Sequence, residues 1–421
     1  MKYAVVTFGC RVNQADSLGF EEALQQRGGC PVPAERADLV VVNSCSVTCS
    51  ADQGARQAIR RIARSNPEAR IVVTGCYATR QPDEVATLPG VVRVVANPEK
   101  ERFGELVDRL EWTTAERFGE GDGNCGLAIE PGVAGRTAYT LRVQTGCAET
   151  CSYCIIPVTR GAPRSVAPPA LLGEVRRVAA AGFKEIVLTG VHLGSYGRDL
   201  AVPSSLVELL EIVSAANIPG VRFRISSLEP MDCTPAVVEL LSREPRFAHH
   251  VHLPLQHASN RMLAAMCRPY TLAQYQGLVD RIRDRMPDAS IGTDLIVGFP
   301  GETEADFTQL VGYLEHSPVT HAHVFPYSDR PGTVATRLEG KVDGRAVRDR
   351  ARVLRDISSA LTRRFRATQV GAIHDALTID DGSVAVTGNY LKVRIPPGRP
   401  RNEWLKVRVL TAGDPPAGEV V

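Results

Sequence analysis

Six of the eleven cysteines in this 421-residue chain fall into two patterns, and thiolates are the natural ligands of soft metal centres and iron-sulfur clusters. Cys147, Cys151 and Cys154 stand in QTGCAETCSYCIIPVTRG, a C-x3-C-x2-C arrangement. So few residues between thiols cannot form a crossover helix, and the three must share one compact loop. A structural zinc would want a fourth Cys or His nearby. None follows within the loop, and the next histidine is His192. Zinc and an unligated redox loop are the alternatives to a [4Fe-4S] centre, which best suits three thiolates because it leaves one iron open. Cys10, Cys45 and Cys76 are remote in sequence, yet each ends a similar run: VVTFGC, VVVNSC and IVVTGC. A single buried cysteine is often only a small apolar side chain. Three matching placements past strand ends argue instead for thiols gathered at one sheet edge around a shared inorganic centre.

The elements that must position these thiols are legible as β-branched runs alternating with amphipathic segments. Lys2 to Phe8, Leu39 to Asn43, Arg70 to Thr74 and Val91 to Ala96 read as buried parallel strands, with helices at Ala15 to Arg27, Asp52 to Ser65 and Pro98 to Leu110. Six further strands are expected: Thr140 to Gln144, Glu185 to Thr189, Arg222 to Ser226, His250 to Leu253, Ser290 to Val297 and His321 to Phe325. Repeated βα crossovers of this number predict a six-stranded partial TIM-like barrel, with an open doubly wound sheet as the alternative. A basic helix at Arg345 to Thr368 leads to short alternating runs punctuated by Asp-Gly, Gly-Asn and Pro-Pro-Gly, the pattern of a small β-barrel. The expected fold class is therefore α/β: an N-terminal parallel α/β domain (1–119), a glycine-rich linker (120–136), the partial barrel with its basic helix (137–368) and the small β-barrel (369–421).

Hydrophobic residues make up 44% and charged residues 23%, an ordinary globular composition. No run approaches 18 apolar residues, and the start runs directly into a strand, so neither membrane insertion nor export is expected. A net charge of +2 excludes a polycation. The charge is uneven, however: Arg337 to Arg366 holds ten Lys or Arg against four Asp or Glu. Such a stripe suits a polyanionic partner, although a solvated helix face explains it as well. Arg363, Arg364 and Arg366 at the helix end, with Lys392, Arg394, Arg399 and Arg401 beyond it, are the candidate RNA contacts.

The Cys147 loop on a partial barrel resembles the radical S-adenosylmethionine enzymes. With TFGCRVNQADS, NSCSVT and TGCYAT, the whole chain resembles the methylthiotransferase family within that class, and its flanking segments are most similar to members acting on N6-threonylcarbamoyladenosine at tRNA position 37. The resemblance implies two [4Fe-4S] clusters, an auxiliary one on Cys10, Cys45 and Cys76 and a cofactor-cleaving one on Cys147, Cys151 and Cys154. It also implies S-adenosyl-L-methionine, an electron donor, a sulfide source, a cytoplasmic tRNA substrate and a TRAM-like terminal domain. Gly190 and His192 in TGVHLGSYG would lie near the methionine amino group, and Ile296 and Gly298 in GTDLIVGFPGE near the adenine. Glu229 and Gln256 at strand ends and Asp294 on an inward face are polar candidates for the same site. Tyr153 and Tyr327 offer flat surfaces to a nucleoside. His257 and Ala258 depart from the family segment, and no proton transfer is assigned to His257. Isopentenyladenosine in tRNA, an aspartate of a ribosomal protein, and a noncatalytic RNA-binding iron-sulfur protein are the competing readings.

Overall fold

The structure is a computed structural model that describes residues 1–108, 130–132 and 137–421. Most of the expected linker, 120–129 and 133–136, lies outside the described residues, as does the last part of the helix expected to reach Leu110. No helix among the described residues is long and apolar enough to cross a membrane.

The first domain runs β1 (Lys2–Thr7), α1 (Arg11–Gln25), β2 (Cys30–Pro31), β3 (Leu39–Ser44), α2 (Cys49–Ser65), β4 (Arg70–Gly75), α3 (Cys76–Arg80), α4 (Pro82–Ala86), β5 (Val91–Val95) and α5 (Phe103–Asp108). The strands form one parallel sheet in the order β2-β1-β3-β4-β5. Alternation along β3 divides its side chains between two layers. Leu39 and Val41 pack with Phe20 and Phe103, while Val40 and Val42 meet Ile59 and Ile62 on the other face. Every residue of β3 is therefore buried, as expected of a parallel strand covered on both sides.

The central domain continues with β6 (Tyr139–Arg142), β7 (Gln144–Thr145), α6 (Ile156–Arg160), β8 (Arg164–Ser165), α7 (Pro168–Ala180), β9 (Glu185–Thr189), α8 (Leu206–Ala215), β10 (Arg222–Ile225), α9 (Pro235–Arg243) and β11 (His250–His252). It then adds α10 (Asn260–Ala265), α11 (Leu272–Arg285), β12 (Ser290–Val297), α12 (Glu304–His316) and β13 (His321–Pro326). Two three-stranded parallel sheets, β10-β9-β6 and β11-β12-β13, come together through the bridges Phe223 to Phe247 and Ser227 to His252. One large apolar cluster lies beneath α7, α8, α9, α11 and α12. The strand expected at Thr140 to Gln144 is split. Its last residue, Gln144, instead pairs antiparallel with Ser165, and Thr145 with Arg164, so that β7 and β8 form a clasp around the cysteine loop.

Helix α13 (Gly344–Thr368), N-capped by Asp343, leads to β14 (Ile373–Ile379), β15 (Val384–Thr387), β16 (Lys392–Arg394), β17 (Trp404–Val409) and β18 (Gly418–Val420). These strands make an antiparallel sheet in the order β16-β15-β14-β17-β18. A bridge from Arg394 to Ala417 brings its two edges together, curling the sheet around Ala376, Val393 and Val407.

Candidate functional site

Neighbouring strands β1, β3 and β4 carry Cys10, Cys45 and Cys76 just beyond their C-terminal ends. Close approach there requires glycine. Gly9 has φ +89°, and a Cβ on it would stand 2.7 Å from Cys45 Sγ; Gly75 has φ +98°, and its Cβ would collide with Ser44 O at 2.1 Å. Cys10 is exposed, while Cys45 and Cys76 are buried. Burial, with the other two thiols nearby, pushes Cys45 up to about 12. Asn97 Nδ2 lies 3.6 Å from Cys76 Sγ. Beside the thiols, buried Asp16 binds Lys100 at 2.7 Å, Arg142 at 2.5 Å and Arg160 at 3.3 Å. Burial disfavours the Asp16 carboxylate, but these three cations outweigh it and hold its pKa below the usual range. Burial likewise opposes the Arg160 charge, and Cys76, Asp16 and Cys10 overcome that opposition. Arg160 thus extends from the end of the second cysteine segment to the first thiol trio.

In the second trio, Cys147 follows Gly146, which has φ +77° and on which a Cβ would stand only 1.9 Å from Ala162 O. The Cys147 amide donates to Gly161 O across the β7-β8 clasp. Ser152 anchors the loop through its N–H to Met266 O and its Oγ to Ala265 O. Burial pushes Cys147 up to about 11 and Cys154 to about 12. Arg268 Nη1 stands 3.0 Å from Cys151 Sγ, and the same guanidinium pairs with Glu229 and donates to Tyr270. Among the described residues, neither thiol trio converges within the 4.8 Å expected around a single ion. One tetrahedral zinc with Zn–S of 2.3 Å would hold sulfurs about 3.8 Å apart. Neither donor set is therefore arranged as a single-zinc site.

A cavity of about 180 Å³ opens beside Cys154 of the second trio, lined also by Tyr153, Gln256, Asp294, Ile296, Phe325, Tyr327 and, from the first domain, Val47 and Thr48. Five of the nine residues expected to hold cofactor thus share one space. Gln256 joins Asp294 and Ile296 through backbone hydrogen bonds, at φ +68°. Asp294 Oδ1 lies 3.0 Å from His252 and 3.1 Å from His323. Glu229 is turned to Arg268, and burial raises its pKa despite that cation. His192 pairs with Asp232 at 3.0 Å; burial opposes its charge, but Asp232 leaves its pKa raised. Gly190 makes room for Leu193 and Gln144, and Gly298, at φ +79°, for Val347 of α13. His257 is fully buried, accepts the Ser259 N–H and is pushed down to about 4 by burial. Arg160, Arg268, Asp16 and the Val47-Thr48 wall escape sequence reading. For the two arginines the one local signal is an arginine shortly after a cysteine, in CIIPVTR and CR.

Residues 2–97 match the model of an uncharacterized protein family, UPF0004, and residues 141–314 match the radical SAM superfamily. The threonylcarbamoyladenosine tRNA methylthiotransferase MtaB of Bacillus subtilis is 33% identical over 97% of this chain and 94% of its own. Its Aquifex aeolicus counterpart is 36% identical over 94% of this chain and 96% of its own. The chain belongs to the radical S-adenosylmethionine methylthiotransferases. Membership brings S-adenosylmethionine and a [4Fe-4S] cluster as cofactors. The solved structure of a radical S-adenosylmethionine methyltransferase, TsrM from Kitasatospora setae, shares the fold, with a TM-score of 0.56 and 17% identity over 79% of this chain and 76% of that one.

This methylthiotransferase uses several of the candidate RNA-contacting cations internally. Arg364 donates to Glu315 O and Ser317 O, and Arg366 to Gly413 O and Asp414. Arg401 donates to Asp380 O and Gly132 O, and Arg399 pairs with Glu403 at 3.4 Å. Arg363, Lys392 and Arg394 are exposed, the last two alternating on β16 around buried Val393.

Proposed function

We propose that this protein installs a methylthio group at C2 of N6-threonylcarbamoyladenosine at position 37 of tRNA in the cytoplasm, using an external electron donor and a sulfide source. The observation that carries the reading is the cavity bounded on one side by Cys154 and Tyr153 and on the other by Val47 and Thr48, two and three residues past Cys45. In this reading Cys147, Cys151 and Cys154 hold the cofactor-cleaving cluster, and Cys10, Cys45 and Cys76 hold a second [4Fe-4S] cluster. When bound, these groups and S-adenosylmethionine supply one-electron cleavage of a sulfonium C–S bond and the methylthio sulfur. The six parallel strands of the central domain are read as a partial barrel, and the curled terminal sheet as a TRAM-like module.

The chain's own residues bind, orient and exclude water. Ile296, Phe325, Tyr153 and Tyr327 wall the cavity with apolar and aromatic surface, on which a nucleoside can stack. Arg268 fixes Glu229 and the Cys151 side of the loop, and the Asp232-His192 pair fixes the neighbouring turn. No side chain is required to act as a general base. The choice of threonylcarbamoyladenosine rests on the similarity to the Bacillus and Aquifex enzymes across nearly the whole chain.

Mass analysis of nucleosides from tRNA of cells with and without the gene tests the proposal. Loss of 2-methylthio-N6-threonylcarbamoyladenosine alone is expected. Loss of a methylthiolated isopentenyladenosine, or of methylthio mass on a ribosomal protein, would move the activity to another substrate. Cluster content with no cofactor cleavage would leave only a binding protein.

A further inference from the structure

The inner face of β11, β12 and β13 carries an unusual set of donors: four imidazoles, His250, His252, His321 and His323, and one carboxylate, Asp294. Register explains their convergence. Gly292 of β12 pairs with His252 on one side and His321 on the other, and Asp294, two residues on, pairs with His323. The missing side chain of Gly292 leaves the room, since a Cβ there would stand 2.6 Å from His252 Nδ1 and 2.5 Å from His321 Nε2. The ring centroids of His252 and His323 are 5.2 Å apart, and those of His321 and His323 5.6 Å.

Three of these residues turn donor atoms to one point. His252 Nε2 lies 3.0 Å and His323 Nδ1 3.1 Å from Asp294 Oδ1, and all three ligand atoms fit within 4.8 Å of one another. For metal–nitrogen and metal–oxygen bonds near 2.1 Å, adjacent ligands of a six-coordinate ion are about 3.0 Å apart. Two imidazoles and one carboxylate on one face, with the remaining positions open, form a donor set suited to a first-row divalent ion. Asp294 lines the cavity and His323 is 58% exposed, so an ion has a route in.

We infer that His252, Asp294 and His323 form a binding site for one divalent first-row transition-metal ion, distinct from both cysteine trios. A plain structural role, with one carboxylate accepting from two imidazoles, makes the opposite prediction about metal affinity. The test uses the anaerobically prepared holoenzyme, its cysteines occupied, passed over a chelating resin and titrated with Mn2+ while the free-ion EPR signal is recorded. Mn2+ is chosen because it favours carboxylate and imidazole over thiolate, and Zn2+ should displace it in accordance with the affinity order of the divalent metals. One Mn2+ per chain is expected, with affinity falling at least about tenfold in Asp294→Asn and in His323→Gln and unchanged in His316→Ala, a surface control. His323→Gln alters a largely exposed side chain, so its result stands even if Asp294→Asn impairs folding. Absence of stoichiometric Mn2+ binding, or equal affinity in wild type and His323→Gln, overturns the site.

Discussion

Arg160 and Arg268 show what a single buried charge contributes to a cysteine site. Each guanidinium is sheltered from water and lies against a thiol, Arg160 near Cys76 and Arg268 at 3.0 Å from Cys151. A buried cation needs a compensating charge; Asp16 supplies it to the first and Glu229 to the second. Neither arginine was legible from sequence, because an Arg some residues past a Cys looks like any solvated charge until the fold buries it. The placement of the cysteines was legible, because the β-branched runs before Cys10, Cys45 and Cys76 mark three strands and the spacing of the other three confines them to one loop. They also give the sharpest test. Cys151→Ala should reduce formation of 5'-deoxyadenosine to background. Alanine at Cys10, Cys45 and Cys76 together should leave about four irons and reductive cofactor cleavage intact yet abolish methylthio product. Iron analysis with quantification of both products decides, and methylthiolation by the triple variant would end the division of labour.

At the level of elements, the strands that carry cysteines were foreseen, and the small elements that fix them were not. Two-residue strands such as β2, β7 and β8 have no periodicity to read, and α3 is a single turn whose existence depends on Gly75 adopting φ +98°. The terminal sheet was expected as an appended module. It is instead pinned to the central domain by Arg222 and Arg224, which bind Glu185 and donate to carbonyls of Asp375, Val386, Thr387 and Gly388. Burial disfavours the Glu185 carboxylate, but the two arginines outweigh it and bring its pKa down to about 2. A depressed carboxylate stabilises the fold above its unfolded pKa and loses that contribution as pH falls, here from about 4.5 towards 2, a loss on the order of 3 kcal/mol. Trp404, under the Arg222 guanidinium at 4.8 Å, reports the docking. In a Trp112→Phe background its fluorescence should change over that acid window, and Glu185→Gln should undock the sheet already at pH 7. An unchanged signal in both would show that the cluster does not hold the interface. Because truncating the sheet would strand both arginines, RNA binding is better probed at the exposed side chains of β16. Lys392→Glu with Arg394→Glu should weaken tRNA binding and flatten its salt dependence by about 1.5 in slope, from two lost phosphate contacts; wild-type affinity and slope would remove β16 from the RNA surface.

Across the whole molecule, the consequential feature is that the cavity is walled by two domains, Val47 and Thr48 from the first and Tyr153 and Cys154 from the central one, and is complete only while those domains stay docked. Composition and strand periodicity carry no information about such docking, which is why Val47 and Thr48 were not expected in the site. Beside the pairs that Asp16 makes with Arg142 and Arg160, the tie across this contact nearest the cavity wall is Asp52 of α2. Its carboxylate lies 2.6 Å from Arg80 of its own domain and 2.6 Å from Arg330 of the central one, all three side chains being largely buried. Ser46 donates to the same carboxylate, and the Cys49 amide donates to Ser328 Oγ close by. Removing one partner of a buried ion pair leaves the other unpaired, typically at about 3 to 5 kcal/mol. Asp52→Asn keeps the shape but discards the charge, so Arg330 loses its hold on the first domain while the Cys147 loop, attached elsewhere through Ser152 and Arg268, keeps its surroundings. Cofactor cleavage should then continue without productive transfer, and the ratio of 5'-deoxyadenosine to methylthio nucleoside should rise about tenfold or more, a misplacement of about an ångström being enough to lose that much. Both products measured in one anaerobic assay, beside iron content equal to wild type, provide the check. A ratio unchanged from wild type would mean that the Asp52-Arg330 bridge does not set the distance between the two halves of the site.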